Sequence, residues 1–249
     1  GAFVCNGGRI RFLGTAIQTV SGTGSTQWSN VHILNTVGVN FSKPITICDS
    51  LFIATNAKLN ITASPAILTL RGHLHNLGSF DDSMCNFNFD GTATQRVTGG
   101  GTFIFRRVRV FNPTQVIVQT PITVNDSLVV PGNLDLQANV NLNGNVRTNG
   151  SLNTSTCNNK VVFGGNNAVT VSGTGTRTFC KVQIENTNTN GVQFNGDITF
   201  NDSLIITPTG RMFSGAGNIN HYGNFYNRGY YYGYSGSYYW WWLTFNRYY

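Results

Sequence analysis

The chain has 249 residues, of which 40% are hydrophobic and only 10% charged, against roughly a quarter charged in an average globular domain. Sixteen Lys and Arg against nine Asp and Glu leave a net charge of +7. Only Arg106, Arg107 and Arg109 cluster, which excludes the dense basic stripe with interleaved aromatics that nucleic acid binding needs. Regular Val, Ile, Leu and Phe exclude a disordered polymer, and no run approaches the roughly 18 apolar residues of a membrane helix.

Taken in chain order, residues 1–11 read as the end of a repeat unit. The start at Gly1 is what a mature piece of a longer secreted precursor would show. From residue 12 the chain repeats itself about every 75 residues, giving expected units at 12–86, 87–160 and 161–229. Each unit opens on a glycine turn: Val20-Ser21-Gly22-Thr23-Gly24, Val97-Thr98-Gly99-Gly100-Gly101 and Val171-Ser172-Gly173-Thr174-Gly175. An aromatic follows at one offset, as Trp28, Phe105 and Phe179. Next come Pro44-Ile45-Thr46, Pro121-Ile122-Thr123 and Asp197-Ile198-Thr199. These lead into Asp49-Ser50-Leu51, Asp126-Ser127-Leu128 and Asp202-Ser203-Leu204. Downstream lie Leu74 to Phe80, Val146 to Leu152 and Ile219 to Phe225. Residues 230–249 form an aromatic tail.

Short alternating runs such as Val31-His32-Ile33-Leu34, Ile45-Thr46-Ile47 and Lys58-Leu59-Asn60-Ile61 predict strands of three to five residues. Gly, Asn or Pro punctuates them every 8–12 residues, and helix signals are nearly absent. A fixed period with few insertions predicts an all-β fold, a parallel β-helix (β-solenoid) built from three ~75-residue repeats, each of three to four coils. Ile45, Ile122 and Ile198 should then occupy equivalent buried places. Asn at the turns should adopt left-handed backbone or stack in amide ladders.

Candidate sites are sparse. Asp49, Asp126 and Asp202 recur at one repeat position, which points to turns in which the carboxylate caps backbone amides. The cysteines are Cys5, Cys48, Cys85, Cys157 and Cys180. Cys5, Cys85 and Cys157 share a repeat position and should lie too far apart to pair with one another. The odd count leaves at least one thiol free or bridging chains. His73 and His75 share a strand face without a metal-ligand partner at suitable spacing. Asn40, Asn60, Asn125, Asn149, Asn153 and Asn201 head Asn-x-Ser/Thr triplets, as expected in so Asn- and Thr-rich a chain. No catalytic set, metal site or cofactor motif is identifiable. A carbohydrate-active β-helix enzyme, a polysaccharide lyase or tailspike-like hydrolase, would have to draw on Asp81, Asp82 and Asp90 with Arg106 and Arg107.

The Ser-Gly-Thr-Gly turns, the Val-x-Ile-x-Asn strands (Val31 to Asn35, Val182 to Asn186) and the Ile-Thr-x-x-Asp-Ser-Leu block together resemble β-solenoid repeat regions of secreted and cell-surface, adhesin-like proteins of the Bacteroidota. That resemblance implies an extracellular or surface location, reached through a dedicated outer-membrane route with a C-terminal sorting domain. No such domain is visible in this sequence. Asp-Ser-aliphatic triplets also resemble the O-glycosylation motif of such proteins, which would put sugar on Ser50, Ser127 and Ser203, and on Ser83 within Asp82-Ser83-Met84. The functional expectation is a non-enzymatic structural or adhesive glycoprotein, a fibre subunit that joins copies of itself end to end, with surface glycans as further partners. Nucleic acid and membrane insertion are not expected. Tyr239, Trp240, Trp241, Trp242 and Phe245 in the tail are the candidates for capping the last coil or contacting the next subunit.

Overall fold

The computed structural model describes residues 3–4, 7–62 and 67–233, and of Phe3, Val4 and Ser83 only the backbone. Cys5 and the tail candidates Tyr239, Trp240, Trp241, Trp242 and Phe245 lie outside the described residues. What is described is all β: 29 strands and no helix, wound as a parallel β-solenoid of about ten turns.

Each coil contributes one strand to each of three parallel ladders, so the molecule has three faces. On the first face Ile45, Leu68, Phe87, Val108, Leu128, Val146, Val171 and Phe194 follow one another in register. On the second, Val31, Leu51, Leu74, Val97 and Val118 do so. On the third, Val39, Leu59, Phe80 and Phe103 do so. A coil takes 18 residues at its shortest, from Ile122 to Val140, and 25 at its longest, from Val146 to Val171. Strands such as Ser79–Phe89 and Thr102–Val110 run through a corner and serve two faces, with a register irregularity at the bend.

The alternation read from sequence becomes an inside and an outside. Ile45 and Ile47 point in and Thr46 points out, the pattern along most strands. The inward side chains form one continuous core, in which each fully buried Ile, Leu or Phe contributes roughly 1.5–3 kcal/mol. Phe80, Phe87 and Phe105 pack with ring centroids 5.1–5.5 Å apart. A void of about 10 Å³ beside Phe105, Leu128 and Leu142 holds at most about one water. The interior there is filled, and it is no channel.

The sequence repeat and the structural repeat are different objects. Leu51 lies on the second face, Leu128 on the first and Leu204 on the third. From Leu51 the chain makes three coils, through Leu74 and Val97 to Val118, and then advances two faces, past the third, to Leu128 on the first. From Leu128 it does the same through Val146 and Val171 to Phe194 and on to Leu204. Ile45, Ile122 and Ile198 are accordingly all buried and each opens a strand or strand run, yet on three different faces. The expectation of equivalent places therefore holds for the local setting only. The unit that stacks is the coil, and three superposed 75-residue layers do not occur.

Local conformation nevertheless returns with the sequence. Gly22, Gly99 and Gly173 have φ of 109°, 112° and 111°, a region only glycine enters freely. Asn35, Asn112 and Asn186, one per motif copy, are each 0% exposed at a corner. Asn112 shows their role: its Nδ2 donates to the Ala93 carbonyl, and its Oδ1 accepts from the Thr114 and Gln115 amides. The expected amide stacking occurs at Asn40–Asn60 and Asn125–Asn143. Left-handed asparagine does not recur: Asn56 is the one non-glycine residue with positive φ among those described.

A second glycine set is forced by contact. Gly72, Gly144 and Gly223 each lie one coil after Asp49, Asp126 and Asp202. A Cβ on any of them would meet that aspartate's carbonyl oxygen well inside 3.0 Å. This stacking also shows that Phe225, not Ile219, is the third counterpart of Leu74 and Val146. Gly144→Ala should therefore cost more than about 3 kcal/mol, since backbone must move. Gly100→Ala, where a Cβ meets nothing within 4 Å, should stay within about 0.5 kcal/mol. Urea unfolding of the two variants checks this.

Candidate functional site

The acidic corners were expected to cap backbone amides, and they do not. Asp126 turns outward to basic side chains one coil earlier: Arg107 Nε at 2.6 Å and Arg106 Nε at 3.4 Å. Asp202 does the same with Lys181 at 3.6 Å. Asp49 is simply exposed. The capping carboxylates are others. Asp197 Oδ1 accepts the Asn218 amide, and Asp135, only 4% exposed, accepts the Ser155 amide and hydroxyl and the Gln137 side chain.

The serines of the Asp-Ser-Leu triplets follow these corners and so also fall on three faces; the fold does not bring them together. Ser50 Oγ donates to Asn30 Oδ1 at 2.6 Å. Ser127 is half-buried, and Ser203 is only 9% exposed. The Ser83 side chain lies outside the described residues.

The residues that an enzyme reading would draw on are divided between corners. Asp90 pairs with Arg71 at 3.7 Å, where the first face passes to the second. Asp82 sits where the third face passes to the first, on the coil before Arg106. It is fully buried; Oδ1 accepts the Cys85 amide at 2.9 Å, while Oδ2 has no hydrogen-bond partner. Loss of hydration on burial raises its carboxyl pKa to about 6. Burial, followed by the charge of Asp82, pushes the Cys85 thiol well above its ordinary range, so this thiol is a poor nucleophile. Arg106 closes the corner with Nη1 donating to the Met84 carbonyl at 3.2 Å.

Cys157 is disulfide-bonded to Cys180, and Cys48 and Cys85 are free. The bond spans 23 residues, about one coil, a pairing the sequence motifs did not reveal. It staples the segment that carries Ser155 over Asp135. On the second face His32, Phe52 and His75 form a column of rings, with Phe52 and His75 stacked at 5.6 Å. His75 Nδ1 is 2.8 Å from Thr98 Oγ1, and His73 Nδ1 accepts the Arg96 amide. Burial, with Arg9 and Arg11 nearby, holds the His32 pKa below its ordinary value. Among the described residues no three His, Cys, Asp or Glu side chains gather to hold a metal, and no helix is long and apolar enough to cross a membrane.

Comparison of the chain with protein-family models, with curated proteins and with solved structures gives no match.

Asp82 has a consequence for stability. Its folded pKa, about 6, exceeds the ordinary 3.8, so between these values the folded chain binds a proton that the unfolded chain has lost. Its contribution is greatest below about pH 4 and falls as pH rises to about 6, by up to about 3 kcal/mol. Asp82→Asn keeps the acceptor for Cys85 and should remove this slope. Unfolding free energies of both proteins from pH 4 to 7 give the comparison.

Proposed function

We propose that the chain is a non-enzymatic structural or adhesive element of the cell exterior, a rod whose copies join end to end into a fibre. The observation that carries this reading is the continuous parallel stacking: each coil satisfies the backbone of its neighbours along the whole described length, so a rod of this kind can offer unpaired strand edges only at its ends. Such edges are templates for a further strand. Apolar surface goes with them: Leu13 and Ile17 are each 61% exposed at one end, and Tyr222 is 76% exposed at the other. A contact between two unlike ends does not close on itself and propagates as a filament. The long faces between the ends are covered by hydroxyls and amides. Of the carboxylates that an enzyme reading would draw on, Asp82 is buried and Asp90 is held in an ion pair, as are Asp126 and Asp202.

End-to-end joining through backbone pairing and apolar contact resists salt, because few charges are there to be screened. Sedimentation at rising concentration should show open-ended growth that survives 1 M salt, and negative-stain images should show filaments. Coils about 4.8 Å apart make the described turns, about ten of them, roughly 50 Å long. Leu13→Lys with Ile17→Lys, at exposed positions, should leave a folded monomer. A wild-type chain that stays monomeric at high concentration would sink this reading and favour the polysaccharide-cleaving alternative, which release of sugars from acidic glycans would register.

The outside reading also includes O-linked sugar on the Asp-Ser-Leu serines. Of these Ser127 is the best placed, being half-buried beside Asp126 and free of the hydrogen bond that occupies Ser50. Ser203 needs local opening before any transferase can reach it. Intact-mass measurement of native material should exceed the polypeptide mass by whole sugars, with site occupancy falling from Ser127 to Ser203. A bare polypeptide mass counts against it.

A further inference from the structure

The first face carries a group of outward arginines. Arg107 and Arg109 point outward from one strand segment, and Arg147 stands two coils further on in the Arg109 column, with Val129 between them. Arg109 and Arg147 are exposed, and neither has a carboxylate partner among the described residues. From residue 67 to residue 172 no outward strand position of this face carries Asp or Glu, whereas the second face holds Asp135 and the third Asp81. The carboxylates at its margins are already engaged or buried: Asp126 is held by Arg106 and Arg107, Asp90 by Arg71, and Asp82 lies inside. A rigid sheet sets the spacing: about 6.6 Å between Arg107 and Arg109 along the strand, and about 10 Å between Arg109 and Arg147 across two coils.

Arg109 and Arg147, without carboxylate partners among the described residues, repel one another at this spacing, and a ligand with anionic groups at similar spacing relieves that repulsion. Guanidinium also matches carboxylate and sulfate as a two-pronged donor. Beside the arginines lie Asn88, Ser127 and Asn145, whose amides and hydroxyl suit sugar hydroxyls. Nucleic acid is the other polyanion to weigh. Binding a strand takes rings at successive positions for base stacking, and no outward strand position over this stretch is aromatic; Phe111, 43% exposed, stands alone at the rim. We infer that this face binds an acidic polysaccharide, whose carboxylate or sulfate groups are taken by Arg109 and Arg147. The inference concerns the side of the rod and is independent of how its ends join.

The test is titration of the full chain with alginate and with dextran sulfate, against neutral dextran and against single- and double-stranded DNA of similar length. Alginate or dextran sulfate should bind with salt-dependent affinity, and neutral dextran should not bind. Arg109→Gln with Arg147→Gln should lower that affinity at least tenfold and flatten the log–log salt dependence by roughly two. Arg9→Gln with Arg11→Gln removes two exposed arginines from the second face and should change affinity less than twofold. The single variants Arg109→Gln and Arg147→Gln are measured as well, each with its thermal melt, so that a folding defect in the double variant does not decide the outcome. Failure of the wild type to bind either acidic glycan at 50 mM salt overturns the proposal. So does equal loss in the second-face variant, or DNA binding as tight as that of the glycans.

Discussion

Everything in this fold depends on one constraint: the backbone amides and carbonyls of a coil are satisfied by the coils on either side. Parallel strands cannot close on themselves within a coil, so each turn of about twenty residues must reach the next at a fixed rise of about 4.8 Å. Insertions are tolerated only at corners, which is where coil length varies between 18 and 25 residues. The same constraint explains why unpaired strand edges in such a rod can lie only at its ends.

Corners are where sequence identity matters most. A strand segment accepts any apolar residue inward and any small polar one outward, but a corner must bend without leaving buried polar groups unpaired. Three devices meet that need. Buried asparagines supply a donor and an acceptor to backbone groups, as Asn35 and Asn112 do. Glycines at φ near 110° make the bend. Gly72, Gly144 and Gly223 let one coil lie on the aspartate carbonyl of the coil before. Asp82 is an exception, a carboxylate left half-satisfied inside, and burial there opposes its ionisation.

The three motif copies divide their surroundings among three faces, with functional consequences. A motif that returned to one face would build a line of identical groups along the rod. Here a step of three coils and two faces turns each copy to a new side, so Ser50, Ser127 and Ser203 cannot act together, and the ion pairs of Asp126 and Asp202 brace different corners. Surface chemistry is set instead by residues outside the motif, chiefly the arginines of the first face and the column of His32, Phe52 and His75 on the second.

The alternating runs, the glycine and asparagine punctuation and the fixed period were enough to determine a parallel solenoid with isoleucines inside and threonines outside, because side-chain alternation and backbone pairing are local properties. They also located the corners, since only glycine tolerates the bends found at Gly22, Gly99 and Gly173. What only the tertiary structure decided is which residues meet one coil apart. The 75-residue period is not a whole number of coils, so sequence equivalence does not predict stacking neighbours. The Cys157–Cys180 bond, the Asp126–Arg107 pair and the burial of Arg177, whose guanidinium donates to the carbonyls of Asp197 and Gly173, all follow from coil lengths that vary by several residues. Those lengths are set by how each corner packs on the one before it, which no single stretch of sequence encodes.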